Sequence, residues 1–281
     1  MKLRDLKLSL RVRKNQWHVI SSITFGNILE WYQAYSYVYF APVLAKIFFN
    51  FHSTESNFFM AFVVFGIGFL TRPLGGFLFG RWGDLIGRKS AFVGSIVIMT
   101  VPTFLIGCIP TYSEWGIWAP ICLVFLRFMQ SIPESGESPG TFCFLYENAS
   151  AGNKKFMTSW GAFGNQIGAI LGVFEALVLD QLMPKQFLLS WGWRISFWSG
   201  ALIGLLGFVL RKTLDETRIF KKLEELHEID KETSWQLIKN NKNKIILGTA
   251  YGVVNASTFY LVATYLPSYL IAALGLNIYQ S

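Results

Sequence analysis

The sequence predicts an all-α membrane protein, and three observations carry that reading. Hydrophobic residues make up 52% of the 281-residue chain and charged residues only 15%, where a soluble chain carries about a quarter; mean hydropathy is +0.39. Seven apolar segments recur, at roughly 18–41, 57–79, 90–110, 117–145, 157–179, 190–210 and 244–274. Each reaches the ~20 residues that a helix needs to cross a ~30 Å hydrocarbon core. Finally, the basic residues fall between these segments, chiefly in 2–14, 81–89, 154–155 and 211–244. The net charge of +8 therefore marks the sidedness of loops, with no nucleic-acid partner implied.

Residues 1–17 form a basic tail, expected on the cytoplasmic side. The apolar run that follows is too long for a secretory signal, contains Glu30 and lacks a small-residue cleavage site, so it reads as a retained first span. Spans two and three are joined by Gly80-Arg81-Trp82-Gly83-Asp84-Leu85-Ile86-Gly87-Arg88-Lys89, a basic, glycine-rich loop too short to hold a domain. The fourth segment is longer than a perpendicular crossing needs, and Pro133 and Pro139 are expected to kink it. Connections 1–2, 3–4 and 5–6 hold only Lys46, Lys185 and, at a span edge, Arg194, whereas 2–3, 4–5 and 6–7 are basic. A cytoplasmic N-terminus satisfies the positive-inside rule throughout. The connection 211–243 carries both signs of charge, with Ile219, Leu223, Leu226 and Ile229 at helical spacing. It is expected to form a helix at the interface or against the bundle, and a solvated connector is preferred to a partner-binding role.

Ionisable groups inside a bilayer cost kilocalories each, so each is a candidate for function. Asn27, Glu30 and Gln33 share one face of the first span. Arg127, Gln130, Glu134 and Glu137 recur at helical spacing in the fourth and are expected to form one polar stripe facing a cavity or another polar helix. A carboxylate near an arginine can be paired when ionised and neutral when protonated, as proton coupling requires. The alternative is a buried structural ion pair. Asn165 and Gln166 are candidate lining groups in the fifth span. Glu175 is expected to reach the outer interface and Arg72 to snorkel to the inner one. The aromatic residues Trp31, Tyr32, Tyr35, Tyr37 and Tyr39 could cage a quaternary ammonium group, although interface anchoring and packing explain them as well. His18, His52 and His227 form no cluster, no phosphate-cradling loop is present, and nothing points to an enzyme, a metal or a cofactor. Cys108, Cys122 and Cys143 have no metal-ligand spacing and read as small core residues.

The loop at Gly80, Asp84, Gly87, Arg88 and Lys89 fits G-x-x-x-D-x-x-G-(R/K)-(R/K), the signature between spans two and three of major facilitator superfamily transporters; Leu85 stands where a basic residue is more usual. Gly26-Asn27-Ile28-Leu29-Glu30-Trp31-Tyr32, Arg72-Pro73-Leu74-Gly75-Gly76, Gly116-Ile117-Trp118-Ala119-Pro120, Arg127-Phe128-Met129-Gln130, Gly136-Glu137 and Glu147 resemble the metabolite:proton symporter branch. Trp191-Gly192-Trp193-Arg194, Glu216-Thr217 and Thr264-Tyr265-Leu266-Pro267-Ser268-Tyr269-Leu270 continue the resemblance. That branch holds proline/betaine, alpha-ketoglutarate and citrate carriers. Members usually carry Asp-Phe where this chain has Gln33-Ala34, and Gly-Gly-Glu where it has Ser135-Gly136-Glu137; Pro133-Glu134 is also unusual.

The resemblance implies the major facilitator fold: an N-terminal six-helix bundle (18–210), a cytoplasmic linker with an amphipathic helix (211–243) and the first helix of a second bundle (244–281). It implies a multi-pass protein of the plasma (bacterial inner) membrane that carries a small polar solute, an osmolyte or organic acid, by alternating access with the proton as coupling ion. In related sugar symporters a first-helix Asp facing a fourth-helix Arg is the coupling pair. Gln33 cannot titrate, so either Glu30 or a fourth-span glutamate takes the proton, or the carrier is an uncoupled facilitator. The resemblance also gives Asp84 a gating role, bonding near a helix N-terminus of the second bundle. The alternative expectation is a truncated, non-transporting chain, or one whose missing C-terminal half another chain supplies.

Overall fold

The computed structural model describes residues 3–50, 54–150, 152–226, 236 and 239–260. Helices run in the order α1 (Leu3–Phe48), α2 (Thr54–Leu85), α3 (Arg88–Ile106), α4 (Tyr112–Trp115), α5 (Trp118–Ser131), α6 (Glu134–Asn148), α7 (Lys154–Leu182) and α8 (Lys185–Phe187). A π-helical turn (Leu188–Gly192) leads into α9 (Arg194–Lys212), followed by α10 (Arg218–Glu225) and α11 (Lys242–Tyr260). Among the described residues there is no strand. The chain divides into two compact units, Met1–Ile229 and Asp230–Ser281. The first holds the bundle; the second contains α11.

Several boundaries differ from the sequence expectation. α1 begins at Leu3, so the basic tail is helical and continuous with the first span; nothing between Leu3 and Ala41 breaks a helix. α2 continues through Gly80–Asp84 to Leu85, which shrinks the expected loop to Ile86 and Gly87. Gly87 ends it with φ 123°, a conformation that favours glycine. The fourth segment is interrupted at Ile132-Pro133, where both residues keep helical backbone angles, so α5 and α6 are the two arms of a helix broken at the expected Pro133. Pro133 has no N–H to continue the ladder, and its own carbonyl starts α6 by accepting from the Glu137 amide (3.0 Å). Gly75 of α2 lies so close to the Ile132 carbonyl at the break that no side chain fits. Pro139 interrupts nothing. By length and composition alone α3, α7 and α9 are apolar enough to cross a membrane, while the break leaves neither α5 nor α6 long enough alone.

α1 is the spine. It lies along α7 and also touches α9, α2 and α6, while α3 packs on α9. Two main apolar clusters sit at opposite ends of the bundle. One gathers Tyr37, Phe40, Leu44 and Phe48 of α1 with Leu123, Leu188 and Trp193. The other gathers Ile20 and Ile23 with Phe92, Phe144, Met157 and Leu214. The stretch of α1 between them, Asn27 to Ser36, supplies a buried polar layer.

α10 is capped by Thr217, whose hydroxyl accepts from the Phe220 amide (3.2 Å). Its buried side chains are Thr217 and Phe220, whereas Ile219, Leu223 and Leu226 face outward. The apolar stripe expected there is thus an exposed one, as an interface-lying helix would present. Ile229, His227 and Thr264–Leu270 lie outside the described residues.

Between α3 and α5 the exposed Glu114 carboxylate accepts from the Thr111 amide (2.8 Å) and hydroxyl (3.1 Å). These bonds hold its pKa below the ordinary carboxylate value. The depressed value fixes the sign: the cap's contribution is full above the ordinary carboxylate pKa and is lost as pH falls through the lowered one. We expect an NMR titration of Glu114 to show that lowered midpoint, and a Thr111→Val variant to move it back up.

Candidate functional site

Three connected clusters occupy the polar layer. In the first, α1, α3 and α5 meet through amides and one hydroxyl. Arg127 Nη1 donates to Gln130 Oε1 (2.6 Å), and the guanidinium lies 4.2 Å over the Tyr37 ring. Gln130 Nε2 donates to Gln33 Oε1 (2.6 Å) and Thr103 Oγ1 (2.8 Å), and Gln33 Nε2 donates to the same Thr103 oxygen (2.7 Å). Thr103 passes its own proton to the Met99 carbonyl (2.6 Å). Gln33 is therefore linked to Arg127 through Gln130 rather than directly. Gln33, Gln130 and Thr103 thus form a ring of two amides and one hydroxyl, and Glu134 of α6 lies within electrostatic reach of Arg127 beside it.

In the second cluster Asn27 donates to the Gly161 carbonyl (3.0 Å) and Asn165 Oδ1 (2.8 Å), and accepts from Thr141 Oγ1 (3.0 Å). One helical turn on, buried Glu30 accepts from Ser138 Oγ (3.0 Å). Glu134, Glu137 and Arg72 lie within electrostatic reach of Glu30, and Arg72 also acts on Glu134. Arg72 is itself exposed, as a snorkelling side chain would be, while lying within electrostatic reach of both glutamates. The stripe expected on the fourth span exists, but the helix break places Arg127 and Gln130 on α5 and both glutamates on α6.

The third cluster was not legible in the sequence. Glu137 pairs with Arg211, at the end of α9, through both guanidinium nitrogens. Both side chains are fully buried. Arg211 also donates to the carbonyls of Phe92 (2.9 Å), Ile23 (3.3 Å) and Ser22 (3.4 Å), and Ser95 Oγ donates to Glu137 Oε2 (2.7 Å). In the sequence Arg211 falls in the basic linker, since lysine follows it and the apolar run has just ended. Gly26 passes so close to the pair that a Cβ there would overlap both side chains. A cavity of about 200 Å³ between α2, α3 and α6 runs from Gly80, Gly83 and Arg88 to Ser95 and Glu137.

Gln166 is exposed and lies outside the buried polar layer. Other residues sit differently from expectation. Glu175 turns inward, into the junction of α1, α7 and α9, rather than out to the interface. The α1 aromatics do not converge on one cage: Tyr32 points at Glu175, Tyr37 lies under Arg127, and Trp31 stacks with Tyr35 (6.1 Å). Cys108 and Cys143 are exposed and Cys122 is partly buried. The lipid-facing side of a span is as apolar as its interior, so a small apolar side chain fits either.

At the end of α2, Asp84 pairs with Arg88 (2.9 Å), one turn away across the bend. A second carboxylate joins from the segment before α10: Glu216 accepts from the Lys89 amide (3.0 Å) at the start of α3 and from the Thr217 amide (2.9 Å). An anion is favoured at this helix N-terminus. A side chain on Gly87 would collide with the Glu216 carboxylate as well as strain the backbone. We expect Glu216→Ala to raise hydrogen exchange at the Lys89 and Thr217 amides and to cost about 1 kcal/mol, the scale of a lost cap. Gly87→Ala should do the same and cost more.

Residues 23–281 match the family model of the Major Facilitator Superfamily. The chain belongs to that superfamily, a family of membrane transport proteins rather than enzymes. It is 35% identical over 270 residues to a glycine betaine/proline/ectoine/pipecolic acid transporter of Dickeya dadantii, covering 92% of this chain and 53% of that one. It is 33% identical to a citrate-proton symporter of Salmonella typhi (92% and 59%) and 31% identical to an alpha-ketoglutarate permease of Escherichia coli (97% and 62%). The chain thus spans little more than half the length of these relatives. The inward-open xylose transporter XylE of E. coli superposes on 82% of this chain and 56% of its own at TM-score 0.65 and 17% identity, which shows the fold. α1 to α9 are the superfamily's N-terminal six-helix bundle, and α11 is the first helix of its second.

Proposed function

We propose that the protein moves a small polar solute, an osmolyte or organic acid, across the plasma membrane by alternating access in symport with protons. The observation that carries this reading is the buried polar layer of α1, α3, α5, α6 and α9, closed at each end by an apolar cluster. Groups so costly to bury persist where they bind or couple. Gln33, Gln130 and Arg127, with Tyr37, would form the solute-facing wall; Asn27 and Asn165 would hold its edge. Glu30, Glu134 and Glu137 are the proton candidates. Glu137 is foremost, because protonation would release Arg211 and the cavity beside it leads toward the Gly80–Lys89 segment. Gly80, Asp84, Gly87, Arg88 and Lys89 would act as a cytoplasmic gate, with Glu216 as its tether. The domain roles follow: a basic cytoplasmic tail (1–17), bundle (18–210), linker (211–243) and start of a second bundle (244–281). Relatives named for betaine, proline, citrate and alpha-ketoglutarate support solutes of this class.

A second reading, an uncoupled facilitator, draws on the neutral Gln33–Gln130 hydrogen bond, since Gln33 stands where related sugar symporters place the Asp of an Asp–Arg pair. Uptake into proteoliposomes with and without an inward proton gradient separates the two. Accumulation above equilibrium only with the gradient supports symport; uptake indifferent to it removes the symport claim.

A further inference from the structure

α7 carries a carboxylate that the transport reading does not use. Glu175 lies where α1, α7 and α9 converge, and two glycines make the convergence possible. A Cβ on Gly172 would stand 2.7 Å from the Tyr32 carbonyl, and one on Gly200 would stand 3.0 Å from the Tyr32 ring. The buried Tyr32 hydroxyl contacts Glu175 Oε2, the Ser196 carbonyl (2.8 Å) and Ser199 Oγ (2.7 Å). Ser199 Oγ donates to Glu175 Oε1 (2.6 Å) and Ser196 Oγ to Oε2 (3.1 Å), while Ser36 Oγ lies 2.7 Å from Ser196 Oγ.

Counting protons decides what this cluster holds. The tyrosine hydroxyl owns one proton. A backbone carbonyl only accepts, and an ionised carboxylate only accepts. With Glu175 ionised, Tyr32 can serve either the carboxylate or the Ser196 carbonyl, and the other contact sets two oxygens together with no hydrogen between them. A proton on Glu175 Oε2 supplies a missing hydrogen: Glu175 donates to Tyr32, Tyr32 donates to the Ser196 carbonyl, and Ser199 still donates to Oε1, which leaves the Tyr32–Ser199 approach (2.7 Å) without a hydrogen of its own. No positive charge competes for the role. From α1 the titratable group facing Glu175 is Tyr32 itself, and α9 offers the neutral hydroxyls of Ser196 and Ser199. Arg194, nearby in sequence, bonds to the Ser190 (2.9 Å) and Ile109 (3.3 Å) carbonyls and lies over Trp193. On α7 itself, Asp180 is exposed. Among the described residues Glu175 has no ion-pair partner.

We propose that Glu175, Tyr32, Ser196 and Ser199 form a proton-binding site, separate from the Glu30–Glu137 layer and occupied in this conformation. Hydronium gives up a proton to Glu175 Oε2 and leaves as water; the carboxylate becomes a carboxylic acid that donates to Tyr32. The site goes beyond the transport reading and does not depend on it, since its occupancy can be read with no solute present.

The test is infrared difference spectroscopy on the full chain in lipid bilayers, wild type minus Glu175→Gln, at neutral and alkaline pH. Glutamine keeps an N–H donor toward Tyr32, so this variant is expected to keep the wild-type melting temperature. At neutral pH the difference should contain the carbonyl stretch of a protonated carboxylic acid. That band should shift in Tyr32→Phe and vanish at alkaline pH. A difference showing only ionised-carboxylate bands at neutral pH overturns the proposal. So does a melting temperature that falls in Glu175→Gln, because a neutral isostere would then fail where a protonated acid should be mimicked.

Discussion

Replacing Arg211 by alanine is expected to cost about 3–5 kcal/mol, the range for removing one partner of a buried ion pair. Hydrogen bonds alone would give less, since those between membrane helices average about 0.6 kcal/mol. What sets the larger figure is Glu137, left charged and fully buried with the Ser95 hydroxyl donating to it. The same reasoning predicts rescue. Glu137→Gln in the Arg211→Ala background removes the stranded charge and should recover much of the loss. Equilibrium unfolding in mixed micelles of the two single variants and the double variant gives the coupling directly. Additive losses would mean that the pair does not interact as the geometry shows.

The second large effect is expected at the seam between α1 and α7. Gly164, Gly168, Gly172 and Ala176 stand four residues apart on α7, a small-residue ladder that lets backbones approach. A Cβ on Gly168 would stand 3.0 Å from Ile28 Cα, and one on Gly172 2.7 Å from the Tyr32 carbonyl. Backbone atoms inside a packed bundle cannot step aside as a flexible side chain can. Gly172→Leu should therefore cost at least the ~1–3 kcal/mol usual for overpacking, and it should also displace Glu175 from Tyr32. A solvent-facing control, Gly152→Ala, has open space around it and should change little. Thermal unfolding of the three proteins checks both statements.

The bilayer explains which parts of this molecule were legible in advance. Asn27, Glu30, Gln33, Arg127, Gln130 and Glu137 stood out because a polar group in an apolar run has few inexpensive explanations, and the structure buries all six. Arg211 escaped because it opens a charged stretch, and charge at the end of a span normally means water. What buries it is α9 running on to Lys212 and the close passage of Gly26, neither visible locally. Glu175 misled for a related reason: position along a span says how deep a residue lies but not which way it points. Glu216 enters the sequence reading only through the resemblance, because its partner, the Lys89 amide, is 127 residues away in the chain. The split of the fourth segment was foreshadowed by Pro133, and the glycine ladder of α7 was available at four-residue spacing.

The central claim is that Glu137 couples proton movement to solute movement through its pairing with Arg211. The measurement that tests it most directly compares wild type with Glu137→Gln in proteoliposomes, reading gradient-driven accumulation and solute exchange at equal internal and external pH. The account predicts that accumulation falls to the equilibrium level while exchange persists. Undiminished accumulation in Glu137→Gln would contradict it.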